Sequence, residues 1–210
     1  MRSKKAWLKK SLVYAVIDKE ILKKKKKTLA AAAKRIKSQG IKLVQLRDKK
    51  SKKANVLIEA CMLSKILKGS SLFIINDFLD VASICGADGI HLGQDDTSVS
   101  LARKIIGKEK IIGVSCHSLK QALKAQSQGA DYIGVGPIFK TPLKAKGKPV
   151  GLRLLEKIVK KIKIPVFAIG GINRNNAWQI YAVGAKRIAV CRALLEAGSG
   201  NFLKLKSYKK

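Results

Sequence analysis

Acidic residues are scarce in this chain: 13 Asp and Glu face 45 Lys and Arg in 210 residues, for a formal charge of +32 and a pI near 10.3. Histidine is scarcer, with only His91, which falls mid-strand, and His117, which starts a loop, both poor candidates for a His-ligated metal or a catalytic triad. The four cysteines, Cys61, Cys85, Cys116 and Cys191, include no C-x-x-C pair and read as reduced thiols. Long apolar runs are missing. Ser11 to Ile17 is seven residues followed by Asp18-Lys19-Glu20, too short to span a bilayer and a poor signal-peptide core, so the expectation is a cytoplasmic protein. Aromatic content is 5%, and 37 of the 45 cations are Lys. Nucleic-acid surfaces favour Arg and stacking aromatics, so the Lys23 to Lys27 run and the Lys204 to Lys210 tail read as a solvated coat with no dedicated partner. No linker divides the chain, which reads as one domain over 1–210 with short basic extensions at both ends.

What is present is alternation. Short runs rich in Ile and Val, at Leu12–Ile17, Ile41–Arg47, Ser71–Asn76, Gly89–Leu92, Ile111–Ser115, Tyr132–Val135, Pro165–Ile169 and Arg187–Val190, predict eight strands. Helical periods at Thr28–Ser38, Lys52–Leu67, Asp80–Cys85, Ser98–Ile106, Leu119–Gln128, Leu152–Lys161, Asn175–Val183 and Arg192–Ala197 separate or follow them. Continuously apolar strands alternating with amphipathic helices indicate a parallel sheet covered on both faces, and eight units indicate a (β/α)8 TIM barrel. A weak repeat agrees: Gly86-Ala87-Asp88-Gly89, Gly129-Ala130-Asp131-Tyr132 and Gly184-Ala185-Lys186-Arg187 each end a helix on a glycine and enter a strand.

In this fold, function sits where strands end. Five of the 13 acids lie between Asp77 and Asp96. The third and fourth strands run out into Asn76-Asp77 and Gln94-Asp95-Asp96, and neighbouring parallel strands lie about 5 Å apart. Asp77 and Asp96 can then share one cation, with Mg²⁺ the natural choice for carboxylates beside phosphate. Helix capping by either residue is the structural alternative. The second strand ends Gln45-Leu46-Arg47-Asp48-Lys49, directing Gln45, Arg47 and Lys49 toward the barrel mouth. His91 reads as an interior histidine, and Ser115, with no activating base nearby, as a hydrogen-bonding group. The Lys140 to Gly151 segment, carrying Thr141 and Lys144, reads as an active-site loop. Gly170-Gly171 after the seventh strand and Cys191-Arg192 after the eighth suit a phosphate held by backbone N–H groups. The inventory thus contains two anion subsites, one for a polyphosphate at Arg47, Lys49 and Mg²⁺ and one for a monophosphate at Gly171, Cys191 and Arg192.

From Tyr14 to Leu195 the chain resembles the thiamine phosphate synthase family, through QLRDK (45–49), IND (75–77), ADGIHLGQDD (87–96), GVSCHS (113–118), GADYIGVGPIFKT (129–141) and IGGI (169–172). The resemblance implies a (β/α)8 transferase joining 4-amino-2-methyl-5-pyrimidinylmethyl diphosphate to a thiazole ethyl phosphate, or its carboxylated form, with Mg²⁺ as cofactor. It implies that Gln45, Leu46, Arg47, Asp48, Lys49, Asn76, Ser115 and Lys144 hold the pyrimidine diphosphate, with Arg47, Lys49, Ser115 and Lys144 serving catalysis. Thr141, Pro142, Leu143, Gly171, Cys191 and Arg192 would contact the thiazole phosphate, and Asp77 and Asp96 the metal. Three positions depart from the family pattern: Leu143 replaces a usual Thr, Lys140 a usual Pro, and Arg192 a small residue. The related thiazole tautomerases carry a catalytic His where this chain has Pro137 and tend to lack the acidic pair. A basic nucleic-acid-binding barrel is the competitor from another class. A homo-oligomer is compatible with the sequence, which does not specify one.

Overall fold

The computed structural model describes residues 3–141 and 148–195. Eight strands, β1 Val13–Asp18, β2 Leu43–Arg47, β3 Leu72–Asn76, β4 Gly89–Leu92, β5 Ile111–Cys116, β6 Tyr132–Val135, β7 Val166–Ile169 and β8 Ile188–Val190, pair in parallel in sequence order. β8 returns to β1, closing the (β/α)8 barrel expected from the strand count. The described helices are α1 Lys4–Lys10, α2 Lys19–Lys24, α3 Leu29–Ser38, α4 Lys53–Leu67, α5 Leu79–Ile84, α6 Val99–Ile106, α7 Leu119–Ser127, α8 Gly151–Lys161 and α9 Ala177–Ala182, with a short 3-10 turn at Arg192–Leu195. None of them is long and apolar enough to cross a membrane.

The strands are apolar throughout because both faces are covered. Outward residues such as Val44, Leu46, Ile75, Ile90 and Ile133 pack in the shell beneath the helices. Inward residues Tyr14, Leu43, Leu72, Ile74, Ile111, Tyr132, Phe167 and Ala189 form a separate interior cluster. Local chemistry starts several helices where the sequence pattern places them: Thr28, Ser98 and Ser118 accept backbone hydrogen bonds at the N-termini of α3, α6 and α7.

Three elements differ from the sequence reading. The Arg192–Ala197 helix is described only as the 3-10 turn Arg192–Leu195. α2 is new; it is too short to show a period, and its start is set by Asp18, which accepts from Ile21 N. α1 is also new, where only a basic extension was expected. Its seven residues offer no helical stripe beyond Trp7 and Leu8, and its stability comes from tertiary contact. Leu8, 2% exposed, packs with the interior cluster, and the helix is pinned by Lys4–Asp88 (3.1 Å) and Lys5–Asp131 (3.3 Å). These aspartates belong to the Gly-Ala-Asp repeat, and each also accepts from a strand N–H, Phe73 N and Ile112 N respectively. The repeat therefore builds the end of the barrel opposite the strand C-termini, and α1 covers it. Leu8→Ala should cost about 2–5 kcal/mol in urea unfolding; a loss under about 0.5 kcal/mol would show that α1 is not part of the core.

Candidate active site

A cavity of about 680 Å³ opens at the C-terminal ends of the strands. Its lining includes Gln45, Arg47, Asn76, Ser115, Thr141, Gly171, Cys191 and Arg192, so eight of the residues named from the sequence converge on one space. Pro142, Leu143 and Lys144 lie outside the described residues. Leu46 is on the outer face of β2, buried in the helical shell, leaving only its backbone for a ligand.

Strand register explains the first wall. Asp18 and Arg47 are paired positions on β1 and β2, and their side chains form an ion pair. Asp18 is buried and also caps α2, so one carboxylate fixes both the guanidinium and the start of a helix. Breaking such a pair strands a charge, which makes the geometry of Arg47 hard to relax. Sequence reasoning missed Asp18, whose signal was an acid ending an apolar strand. Asp48 is turned away from the cavity. It accepts from Lys50 N and Ser51 N, both at 3.0 Å, and its second oxygen faces Lys19 at 3.3 Å. Lys19 also holds Glu59 at 2.6 Å, so the loop carrying Lys49 is anchored from beneath.

Lys49, Asp77 and Asp96 form a group beside the cavity. Lys49 Nζ lies 3.0 Å from Asp77, and the Asp77 and Asp96 carboxyls are close neighbours. Burial, followed by Asp96, pushes the Asp77 pKa up, while Lys49 pulls it back. Asp77 has a φ of 64°, a left-handed conformation that Asp tolerates at a cost of about 1–3 kcal/mol. Neither acid caps the following helix: α5 has no side-chain cap, and α6 is capped by Ser98. Asp96 instead closes a turn by accepting from Gly93 N at 2.6 Å. Two carboxylates in contact form a donor set that suits Mg²⁺, which binds through one or two carboxylates plus phosphate. Asn76 Nδ2 is buried without a hydrogen-bond partner among the described residues, an orphan donor in the cavity wall. The other acids of the cluster are elsewhere: Asp80 pairs with Lys53 on the surface, Asp88 is at the opposite end of the barrel, and Asp95 is exposed.

The far side of the cavity is backbone and cations. Gly170 and Gly171 take φ of 98° and 68°, and a Cβ on Gly171 would stand 2.7 Å from the Lys140 carbonyl oxygen. Asn176 Nδ2 holds the Gly171 carbonyl at 2.9 Å. Lys24, Lys25 and Arg174 line this region with Arg192, three cations that sequence reasoning did not assign. His117 also lines the cavity, its Nδ1 donating to the Gly136 carbonyl. Burial pushes the Cys191 thiol up to about 12, so it stays protonated and is no nucleophile at neutral pH. Tyr14 and His91 stand in the floor, joined by hydrogen bonds to their neighbours.

A closed barrel whose strand ends gather cations, paired carboxylates and a glycine turn around one cavity defines a (β/α)8 protein with its candidate ligand site at the C-terminal ends of the strands. Comparison with known proteins narrows the class. Residues 13–194 match the family described as thiamine monophosphate synthase, and the chain belongs to that family. It is 47% identical over 159 residues to the thiamine-phosphate synthase of Prochlorococcus marinus, a match covering 75% of this chain and 46% of that protein, so the chain spans about half of that relative's length. It is 41% identical over 188 residues to the thiamine-phosphate synthase of Lawsonia intracellularis, covering 88% of this chain and 85% of that one. The solved thiamine phosphate pyrophosphorylase of Pyrococcus furiosus superposes with a TM-score of 0.83 at 31% identity, covering 96% of each chain.

The loop anchor is testable by pH. Burial raises the Asp48 pKa, but hydrogen bonds from Ser51 and Lys50 and the contact with Lys19 outweigh it and bring the value to about 2. Because this lies below the ordinary carboxylate value of about 3.9, Asp48 stabilises the fold fully above that pH and loses its contribution as the pH falls toward 2. Relative to Asp48→Asn, the wild-type protein should lose about 2 kcal/mol over that interval in urea titrations. Parallel losses in the two proteins would refute the anchor.

Proposed function

We propose that this protein is a thiamine phosphate synthase, joining 4-amino-2-methyl-5-pyrimidinylmethyl diphosphate to a thiazole ethyl phosphate with Mg²⁺ and releasing pyrophosphate. Family membership supports the activity. The observation that carries the site assignment is the cluster of Lys49, Asp77 and Asp96 next to the Asp18-oriented Arg47 at one side of a cavity whose other side is the Gly171 turn with Arg192. A diphosphate and a monophosphate fit the two sides. Pro137 in the cavity lining, where the tautomerases carry a catalytic His, favours the synthase over that relative. Small-molecule ligands also account for the acidic pair, which a nucleic-acid surface would repel. Four free thiols suit a reducing cytoplasm.

Asp77 and Asp96 would hold the Mg²⁺, which when bound supplies positive charge to the diphosphate oxygens. Arg47 is fixed by Asp18 and grips the diphosphate as a planar fork, and Lys49 adds a point charge. Asn76 Nδ2 has a free proton for a phosphate oxygen. The electron-rich aminopyrimidine stabilises a methylene cation, so the diphosphate departs before the thiazole nitrogen attacks. The protein then has to neutralise the leaving group and hold two rings in line, and no protein nucleophile is needed. Lys144, in the segment outside the described residues, is proposed as a further cation for the leaving group. Thr141, with Pro142 and Leu143 from that segment, the Gly171 turn and the backbone at Cys191–Arg192 would hold the thiazole phosphate.

Asp77→Asn keeps a residue that tolerates positive φ and removes the charge. It and Asp96→Asn should each lower kcat/KM on the order of 10²–10³-fold with unfolding midpoints close to wild type. Chelation should stop product formation until Mg²⁺ is restored. Undiminished thiamine phosphate formation in chelator would remove the metal from the proposal, and no product from the two phosphorylated substrates with Mg²⁺ present would remove the activity.

A further inference from the structure

Five polar side chains from five strands run unbroken through the barrel interior. Gln45 Nε2 donates to Tyr14 Oη at 2.5 Å, and Tyr14 Oη lies 2.7 Å from Tyr132 Oη. Tyr132 Oη is 3.0 Å from His91 Nδ1, and His91 Nε2 is 2.9 Å from Ser115 Oγ. The ends of this line, Gln45 and Ser115, both face the cavity, while Tyr132 is fully buried between them. Room for the Tyr132 ring is made by Gly113 on β5, where a Cβ would fall 2.0 Å from the ring. A wholly apolar interior would pack more simply, and buried polar groups are retained at a cost unless fully bonded.

Proton counting gives the line a direction. Burial raises the pKa of both phenols well above their ordinary value, so each keeps one proton to donate. Tyr14 Oη accepts from Gln45, and its own proton has Tyr132 Oη as the acceptor within reach. The proton of Tyr132 then goes to His91 Nδ1, which must be bare. A neutral His91 carries its proton on Nε2 and donates it to Ser115 Oγ, leaving the Ser115 proton to turn into the cavity. At the other end, Gln45 turns its Nε2 to Tyr14 with one of its two N–H groups, and Oε1 is the acceptor it offers to a ligand. With Nε2 of Gln45 turned to Tyr14, the opposite polarity would leave a buried hydroxyl proton unshared at Tyr14.

We infer that Tyr14, Tyr132 and His91 are positioning residues forming a one-way hydrogen-bond chain, which makes Gln45 an acceptor at one side of the cavity and Ser115 a donor at the other. On the proposed function, the acceptor takes the amino group of the pyrimidine and the donor takes an oxygen of its diphosphate. Recognition of the ring and stabilisation of the leaving group are thereby coupled through the protein interior. No proton is transferred along the chain; it sets orientation alone.

The two histidines provide an internal contrast. His117 Nδ1 donates to the Gly136 carbonyl, which makes Nδ1–H its neutral tautomer, whereas His91 should have the opposite one. Nitrogen-15 NMR of histidine-labelled full-length protein, without substrates, should show one residue of each tautomer, with the Nε2–H form assigned to His91. An Nδ1–H tautomer on His91 overturns the chain's direction, whatever the protein's activity proves to be. In the synthase assay, Tyr132→Phe should lower kcat about tenfold, the loss expected for one positioned hydrogen bond, with an unchanged KM for the thiazole phosphate. In a Ser115→Ala background the same substitution should have no further effect on kcat. Equal losses in the two backgrounds would mean that Tyr132 acts through packing alone and would overturn the coupling.

Discussion

Self-repulsion in a chain of charge +32 is the constraint from which the arrangement of this protein follows. Each of the few acids has to serve where its charge matters most, and the structure places most of them against a cation: Asp18 on Arg47, Asp48 and Glu59 on Lys19, Asp88 on Lys4, Asp131 on Arg103 and Lys5. These pairs are located at the two ends of the barrel. At one end they bind α1 over the opening, and at the other they hold Arg47 and the loop that carries Lys49. Asp77 and Asp96 break the pattern because they meet each other, with Lys49 on Asp77 alone. Bringing two carboxylates together costs stability, and on the proposed function a shared Mg²⁺ beside a diphosphate would give that cost a purpose.

The fold was readable because a parallel barrel imposes a simple pattern. Strands buried on both faces need continuous Ile and Val, and each crossover needs an amphipathic helix, so all eight strands appeared within a residue or two of their observed positions. α1 and α2 were not readable, since six or seven residues carry too little period and both depend on partners remote in sequence. Much of the candidate site was equally accessible, because strand ends converge in this fold whatever their side chains. Gln45, Arg47, Asn76 and Ser115 all reach the cavity. Asp48, in contrast, looked like its neighbours in QLRDK, and only the loop geometry shows that it faces Lys19 and two backbone amides.

What sequence could not show is lateral. The Asp18–Arg47 pair depends on the register of β1 against β2, and the line from Gln45 to Ser115 depends on which inward positions share a level in the closed barrel. Tyr14 and Tyr132 appeared as ordinary strand aromatics, although a hydroxyl at an inward position among Leu, Ile and Phe was the available signal. The raised thiol of Cys191 and the protonated phenols fit the same picture, in which the interior keeps its groups neutral and leaves charge to the mouth. Such a division suits the proposed reaction, whose main demand would be the stabilisation of a departing anion.

A crystal structure of the protein with Mg²⁺ and inorganic pyrophosphate tests that division most directly. Pyrophosphate is predicted to lie against Arg47 and Lys49, with the metal between its oxygens and the carboxylates of Asp77 and Asp96. Pyrophosphate bound only at the Gly171 turn and Arg192, with Asp77 and Asp96 free of metal, would contradict the assignment of the acidic pair to the diphosphate.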